Sequence, residues 1–256
     1  MQILWDHTFG KQDTQDLVIC KPMAFVHHDE EDEALENGWL ALDEPIKGKE
    51  VFYQSRSTRI NFNRYRPRFK TPNHEGREIG FKIIDASEMV RLLSLPHIYK
   101  KYLTRKKFPN LYDPFQHYHR RDQFMIFYIG RADNIVGFTK QKRYSWGDDH
   151  HIDIADIDGA QCSGVESVVH ANTVPIGSQC LELELQWAMN NNIPYYYLGS
   201  GYEQSSEYKA SWRGFEWWTG TEWSTNKKQY RRLCKRDTRL TEFSALGNLS
   251  LIQDNS

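Results

Sequence analysis

The order of elements between about residues 122 and 224 constrains this chain more than any other feature. Arg121–Gly130 and Ile135–Tyr144 are rich in β-branched and aromatic residues, and Arg131-Ala-Asp-Asn134 between them forms turns, so the pair reads as a hairpin. Gly164–Ala171 reads as a third strand. Gly177 opens a helix over Ser178–Asn191, with Ser178 as its N-cap and Leu181, Leu185 and Ala188 recurring at helical spacing. Pro194–Gly199 is apolar on both faces and reads as a central strand. Ser205–Arg213 reads as a short helix, and Gly214–Ser224 as a Trp-rich strand hairpin. Strands and helices in this order predict an α/β fold, with a mixed central sheet flanked by helices.

Upstream the pattern is weaker. Residues 1–50 are polar and punctuated. Val51–Ser55 and Thr58–Tyr65 read as strands, Arg66–Glu78 as a loop, Ile83–Leu93 as a helix capped by Asp85 or Ser87, and Pro96–Lys106 as a second helix. Gly147–Gln161, acidic and His-bearing, reads as an inserted loop. The expected division is a smaller N-terminal unit over residues 1–85 and an α/β domain over 86–256.

Composition excludes several classes. The longest apolar stretch, Phe124-Met-Ile-Phe-Tyr-Ile129, is far short of the roughly 18 residues of a membrane-spanning helix. Aromatics make up 14% of residues, too many for a disordered chain. No basic segment followed by an apolar one opens the sequence, so a cytoplasmic setting is expected. Cys20, Cys162, Cys180 and Cys234 form no C-x-x-C pair and read as free packing thiols. His27-His-Asp-Glu-Glu31 and Asp148-Asp-His-His151 place ligand types side by side, a spacing that suits no closed tetrahedral site, so no metal is expected.

Charge is balanced overall, at a net −1, and segregated locally. Asp29-Glu-Glu-Asp-Glu33 is a solvated acidic run. Between Lys227 and Arg239 stand Lys227, Lys228, Arg231, Arg232, Lys235, Arg236 and Arg239, with much of this charge along one helix face. Such a stripe is either an ordinary soluble surface or a phosphate-binding one, since cations gain by displacing counterions from nucleic acid. Arg105-Lys106-Lys107 and Arg120-Arg121 are a second basic set that would share that surface.

The second half also carries a resemblance. The element order is that of a GNAT-type acyltransferase. Val174-Pro-Ile-Gly-Ser178, Leu181 with Trp187-Ala188, Ile193-Pro-Tyr-Tyr-Tyr-Leu-Gly199, and Tyr208-Lys209 with Trp212 and Glu216 resemble the C-terminal half of arginyl-tRNA–protein transferases and of their leucyl-transferring bacterial relatives. Pro96-His-Ile-Tyr-Lys-Lys-Tyr102 with Arg105, and Gly38-Trp39, Phe52-Tyr53 and Thr58-Arg59-Ile60, are similar to upstream elements of that family. The likeness covers most of residues 38–225. This chain departs from it in five ways: there is no cysteine cluster around Gln54–Arg56, the family's Met before Tyr208-Lys209 is replaced, Ser200 stands where the family's strand ends in Tyr, no Pro precedes Glu216, and Trp146–Gln161 reads as an insertion.

The resemblance implies transfer of an aminoacyl group from aminoacyl-tRNA to an amine of a protein or peptide acceptor, with no cofactor. The ester is already activated, so positioning and oxyanion stabilisation supply the rate. Glu166 and His170, four apart on one strand, fall on one face and are the candidate bases; read without the resemblance, each is an ordinary strand residue. Tyr208 stands where many GNAT enzymes place a tyrosine beside the departing group, and is otherwise a packing residue. Lys209, Tyr202, Gly199, Ser200, Gly177 and Arg59 are the expected substrate-binding set, with Arg59 alternatively pinning the N-terminal unit to the core. Arg105, Lys106, Lys107, Lys227, Lys228, Arg231 and Arg232 are the expected tRNA contacts. Two other readings stay open. One is an acetyl-CoA-dependent N-acetyltransferase, against which stands the single glycine of Val174–Gln179 and the missing amide of Pro175. The other is a non-catalytic binding protein on the same scaffold.

Overall fold

The computed structural model describes residues 1–12, 15–42, 50–74, 76–85, 88, 94–106, 115, 122–144, 148–155, 176–202 and 204–238, the side chains of 2–21, 94, 105, 106 and 148–155 excepted. It is a mixed α/β structure built on two sheets. Among the described residues no helix is long and apolar enough to cross a membrane.

The smaller sheet has the order β1 (Gln2–Gln12), β2 (Gln15–Phe25), β4 (Val51–Gln54), β3 (Trp39–Ala41), antiparallel throughout. Strands β1 and β2 pair over their whole length, from Gln2↔Phe25 to Gln12↔Gln15. The polar reading of residues 1–50 did not reveal this hairpin. Ile3, Trp5 and Phe9 fall on odd positions with Asp6 and Thr8 on even ones, and Leu4 and His7 interrupt the pattern. Helix α1 (Glu31–Glu36) follows β2.

The larger sheet has nine strands. Their order is β13 (Trp223–Ser224), β12 (Phe215–Trp218), β5 (Ser57–Asn61), β11 (Tyr195–Ser200), β10 (Asp148–Ala155), β9 (Ile135–Arg143), β8 (Asp122–Ile129), β7 (Arg77–Asp85), β6 (Asn73–His74). All neighbours are antiparallel except β10 and β11, which run parallel. The sheet draws on both sides of residue 85, since β5, β6 and β7 precede it. Two elements differ from expectation. Residues 83–85 close strand β7 instead of opening a helix, because Ile79, Phe81 and Ile83 alternate at period two through the segment. Residues 148–155, read as loop, form β10, in which Ile152 and Ile154 alternate with Asp153.

Period-two alternation gives the sheet two apolar faces. On one face, Phe124, Ile126 and Phe138 pack against Leu95 and Ile98 of helix α2 (Ser94–Lys106). On the other, Met125, Phe127 and Val136 meet Ile176, Cys180 and Leu183 of helix α3 (Ile176–Asn190). The helix starts two residues before the expected Ser178 cap. Its Leu181, Leu185 and Ala188 turn to Tyr196 and Leu198, together with Tyr230 and Cys234 of helix α4 (Lys227–Asp237). Asn226 caps α4, its side-chain oxygen accepting from the Gln229 amide at 3.0 Å. The small sheet closes over β11, packing Ala24, Trp39, Leu40 and Phe52 on Tyr144 and Tyr197. At that junction Gly38 has φ +76°, and a Cβ there would collide with the Trp218 indole. Only glycine permits this approach.

Candidate functional site

The parallel pair β10–β11 is the unusual feature of the sheet. The two strands are in register only at Asp148↔Tyr196 and Asp149↔Tyr197, after which β11 goes on to Ser200 without this neighbour. Helix α3 lies between them in sequence and crosses on one face. A buried polar network fixes the place where they part. Glu184 of α3 accepts from Thr139 Oγ1 at 2.8 Å, from Gln141 Nε2 at 3.3 Å, and from the Tyr196 hydroxyl. Gln141 also donates to the Tyr196 hydroxyl at 2.7 Å and receives Gln123 Nε2 at 2.9 Å. A buried carboxylate is tolerable only when its lone pairs are filled, and here three donors from two strands fill them.

Beyond the parting, the last three carbonyls of β11 are each taken by a side chain. Lys209 Nζ donates to Leu198 O at 2.6 Å and Ser200 O at 2.7 Å. Thr58 Oγ1 donates to Gly199 O at 2.7 Å. Gly199 itself has φ +74°, which turns the strand end toward these donors. Lys209 sits on the 3-10 helix Gln204–Ser211 and is buried. Its sequence neighbour Tyr208 is 48% exposed. The structure joins Lys209, Gly199 and Ser200 into one unit.

Tyr202 belongs to a second cluster. Its hydroxyl accepts from the Arg56 amide at 3.1 Å, and the Arg56 guanidinium lies 5.2 Å over its ring. Arg56 also reaches Gly201 O at 3.3 Å and Asp237 Oδ2 at 2.5 Å, tying the end of α4 to the end of β11. Burial pushes the Tyr202 phenol above its ordinary value, so it stays un-ionised. A groove of about 440 Å³ lies beside it, lined in part by Gln54, Arg56, Gln229 and Arg236.

Arg59 lies between β11 and β12 in the sheet. Its Nε donates to Glu216 at 2.7 Å, and Tyr195 and Trp223 sandwich its guanidinium at 3.8 and 3.9 Å. Glu216 also receives Asn61 Nδ2 at 2.9 Å and Arg64. These contacts join residue 59 to the closing hairpin of the same sheet. Gly177 lies in the first turn of α3. Glu166, His170 and Lys107 lie outside the described residues.

The helices that carry Arg105 and Lys106 on the one hand and Lys227 to Arg236 on the other lie on different faces of the sheet. Helix α2, which ends at Arg105 and Lys106, covers the face opposite to α3, whereas α4 packs with α3 in one core cluster. On α4, Tyr230 and Cys234 face inward, and Lys228, Arg231 and Arg232 are exposed. His27, His28 and Asp29 do approach one another, His28 Nε2 lying 2.9 Å from Asp29, but all three are exposed.

Sequence reasoning missed the Glu184 network, the Arg56–Asp237 tie and the Arg59 sandwich. For the first a signal existed, since Glu182 and Glu184 interrupt the apolar run Leu181-Glu-Leu-Glu-Leu185 and so mark buried acids. Comparison with known proteins adds nothing to this geometry: no family model and no curated protein matches the chain.

The packing of α4 can be checked chemically. Cys234 Sγ donates to Gly201 O at 3.2 Å, and burial pushes its thiol up, away from the reactive thiolate. Iodoacetamide at neutral pH is expected to leave Cys234 unmodified in the native chain and to label it after unfolding in urea. Peptide mass spectrometry reads this directly, and native labelling as fast as a free thiol would show that α4 does not hold this position.

Proposed function

We propose that the chain moves an aminoacyl group from a charged tRNA to an amine, the N-terminus of a protein or peptide. The reading rests on the residue resemblance of Val174–Glu216, and one structural observation carries it: β11 loses its parallel neighbour after two register positions. Where parallel strands part, a substrate can enter the gap between them, as in the GNAT-type fold that the element order resembles. The Glu184 network and the Lys209 clasp support this by fixing β11 before and after the parting, at Tyr196 and at Leu198 and Ser200.

In the proposed reaction the amine nitrogen attacks the ester carbonyl and the new C–N bond forms. The bond to the ribose oxygen breaks, that oxygen takes a proton, and the products are an amide and uncharged tRNA. The ester supplies the driving force, so neither ATP nor an enzyme-bound intermediate is needed. Glu166 and His170 remain the candidate bases. Lys209 is a positioning residue here, because its ammonium is engaged with strand carbonyls.

The test supplies purified protein with tRNAs charged with labelled arginine, leucine or other amino acids, and with peptides of varied N-terminus. A parallel reaction contains labelled acetyl-CoA. Label passing from charged tRNA to peptide is expected. Label passing only from acetyl-CoA would establish the acetyltransferase reading instead, and label from neither donor would leave a binding protein on a transferase scaffold.

A further inference from the structure

We propose that the face around residues 210–213 binds the phosphodiester backbone of RNA, through Arg68, Lys70 and Arg213 acting together with Lys227 and Arg231 of α4. This deepens the transfer reading, and the choice of RNA as the nucleic acid rests on it. The sequence suggested α4 together with Arg105–Lys107, and not Arg68, Lys70 or Arg213. The structure brings two separate stretches of chain to four consecutive residues. Arg231 Nη2 donates to Ala210 O at 3.3 Å, and Arg68 Nη1 to Ser211 Oγ at 3.4 Å. Lys227 Nζ donates to Trp212 O. Arg213 completes the set and is exposed, as are Arg68, Lys70 and Arg231. Arg68 and Lys70 line a groove of about 430 Å³ with Gln186 and Asn190 of α3.

Among the described residues this charge is uncompensated. None of the five cations makes an ion pair among the described residues. The carboxylates beneath them are buried and occupied. Glu182 accepts from the Tyr65 hydroxyl at 2.6 Å and the Arg68 amide at 3.1 Å, and Glu216 serves Arg59, Asn61 and Arg64. The cations repel one another: burial, then Arg231 and Arg213, hold the Lys227 ammonium below its usual range. A polyanion relieves that repulsion and releases its own counterions.

The surroundings favour nucleic acid over a bilayer. Met1 and Tyr208 are the exposed large hydrophobic residues among those described, so no apolar face is available for insertion. Cations without acidic partners among the described residues, drawn together from separate parts of the chain, suit the evenly charged backbone of a nucleic acid.

The test measures fluorescence anisotropy of a labelled RNA hairpin with a single-stranded 3′ tail, titrated with the full chain at several KCl concentrations. Arg68→Glu with Arg213→Glu is expected to weaken binding about tenfold or more, and to make log K against log [KCl] shallower by about one to two units. Arg131→Glu, exposed in the β8–β9 turn, is expected to match wild type. If the double reversal fails to fold by circular dichroism, Arg68→Gln with Arg213→Gln carries the same expectation. Unchanged affinity and slope in folded variants, or tighter binding to vesicles containing anionic lipid than to the RNA, overturns the proposal. If wild type transfers aminoacyl groups while the double variant keeps full RNA affinity, this surface is wrong and the transfer reading stands. If the variant loses RNA affinity while wild type transfers nothing, the surface stands and the transfer reading falls.

Discussion

Replacing Arg59 by Met is expected to destabilise the chain by about 3–5 kcal/mol, because it strips one partner from a buried ion pair and leaves the other charge behind. That loss corresponds to a fall in Tm on the order of 10 °C for a chain of this size. The size of the effect follows from burial. Arg59 and Glu216 side chains are 7% and 2% exposed, so solvent cannot take over either charge. The cation also sits between two ring faces, a contact worth about 2 kcal/mol when desolvated. Arg64 pairs with the same carboxylate from a side chain that is 52% exposed, and Arg64→Ala is expected to cost about 0–1 kcal/mol. Adding Glu216→Leu to Arg59→Met should recover part of the loss, since two apolar residues leave no orphan charge. Thermal melts of the four proteins measure all of this. A change under about 1 kcal/mol for Arg59→Met would mean that water reaches the pair and that the closing hairpin is held by packing alone.

The same residue shows where sequence reading stops. Arg59 stands out by its neighbours in sequence, Thr58 and Ile60, and pinning is one of its two expected roles. Its partners come from positions 195, 216 and 223, and no spacing along the chain announces that meeting. Local signals did well where one element decides its own structure. Leu181, Leu185 and Ala188 give α3 its buried stripe, and Arg131–Asn134 gives the β8–β9 turn. They did less well where the sheet decides. Strand β10 is rich in Asp and His, which argued for a loop, and pairing with β9 along its length overrides that preference. The insertion of β5 between β11 and β12 is likewise a non-local fact. The candidate site depends on that insertion, because Thr58 reaches Gly199 only from a strand placed there.

Lys209→Met is expected to lower stability by about 2–3 kcal/mol and the turnover of transfer about a hundredfold, with RNA affinity within about twofold of wild type. The reasoning starts from the carbonyls. Among the described residues, no strand pairs with Leu198 and Ser200 on the β10 side, and the Lys209 ammonium takes both of their carbonyls. Methionine fills the stem's volume but donates nothing, so two acceptors lose a charged donor in a buried place. The strand end then relaxes around Gly199, whose positive φ depends on its neighbours being held. A shift of about 1 Å there is enough to spoil the approach of amine to ester, which accounts for the loss in turnover. Arginine is expected not to rescue, because its flat, forked donors do not bridge two carbonyls as a compact ammonium does. The unchanged RNA affinity separates this role from direct phosphate contact. If Lys209→Met instead weakened RNA binding tenfold while melting like wild type, the lysine would be a ligand-binding group and its grip on the strand incidental. Melting curves, anisotropy and the transfer assay on the same protein preparation decide between the two.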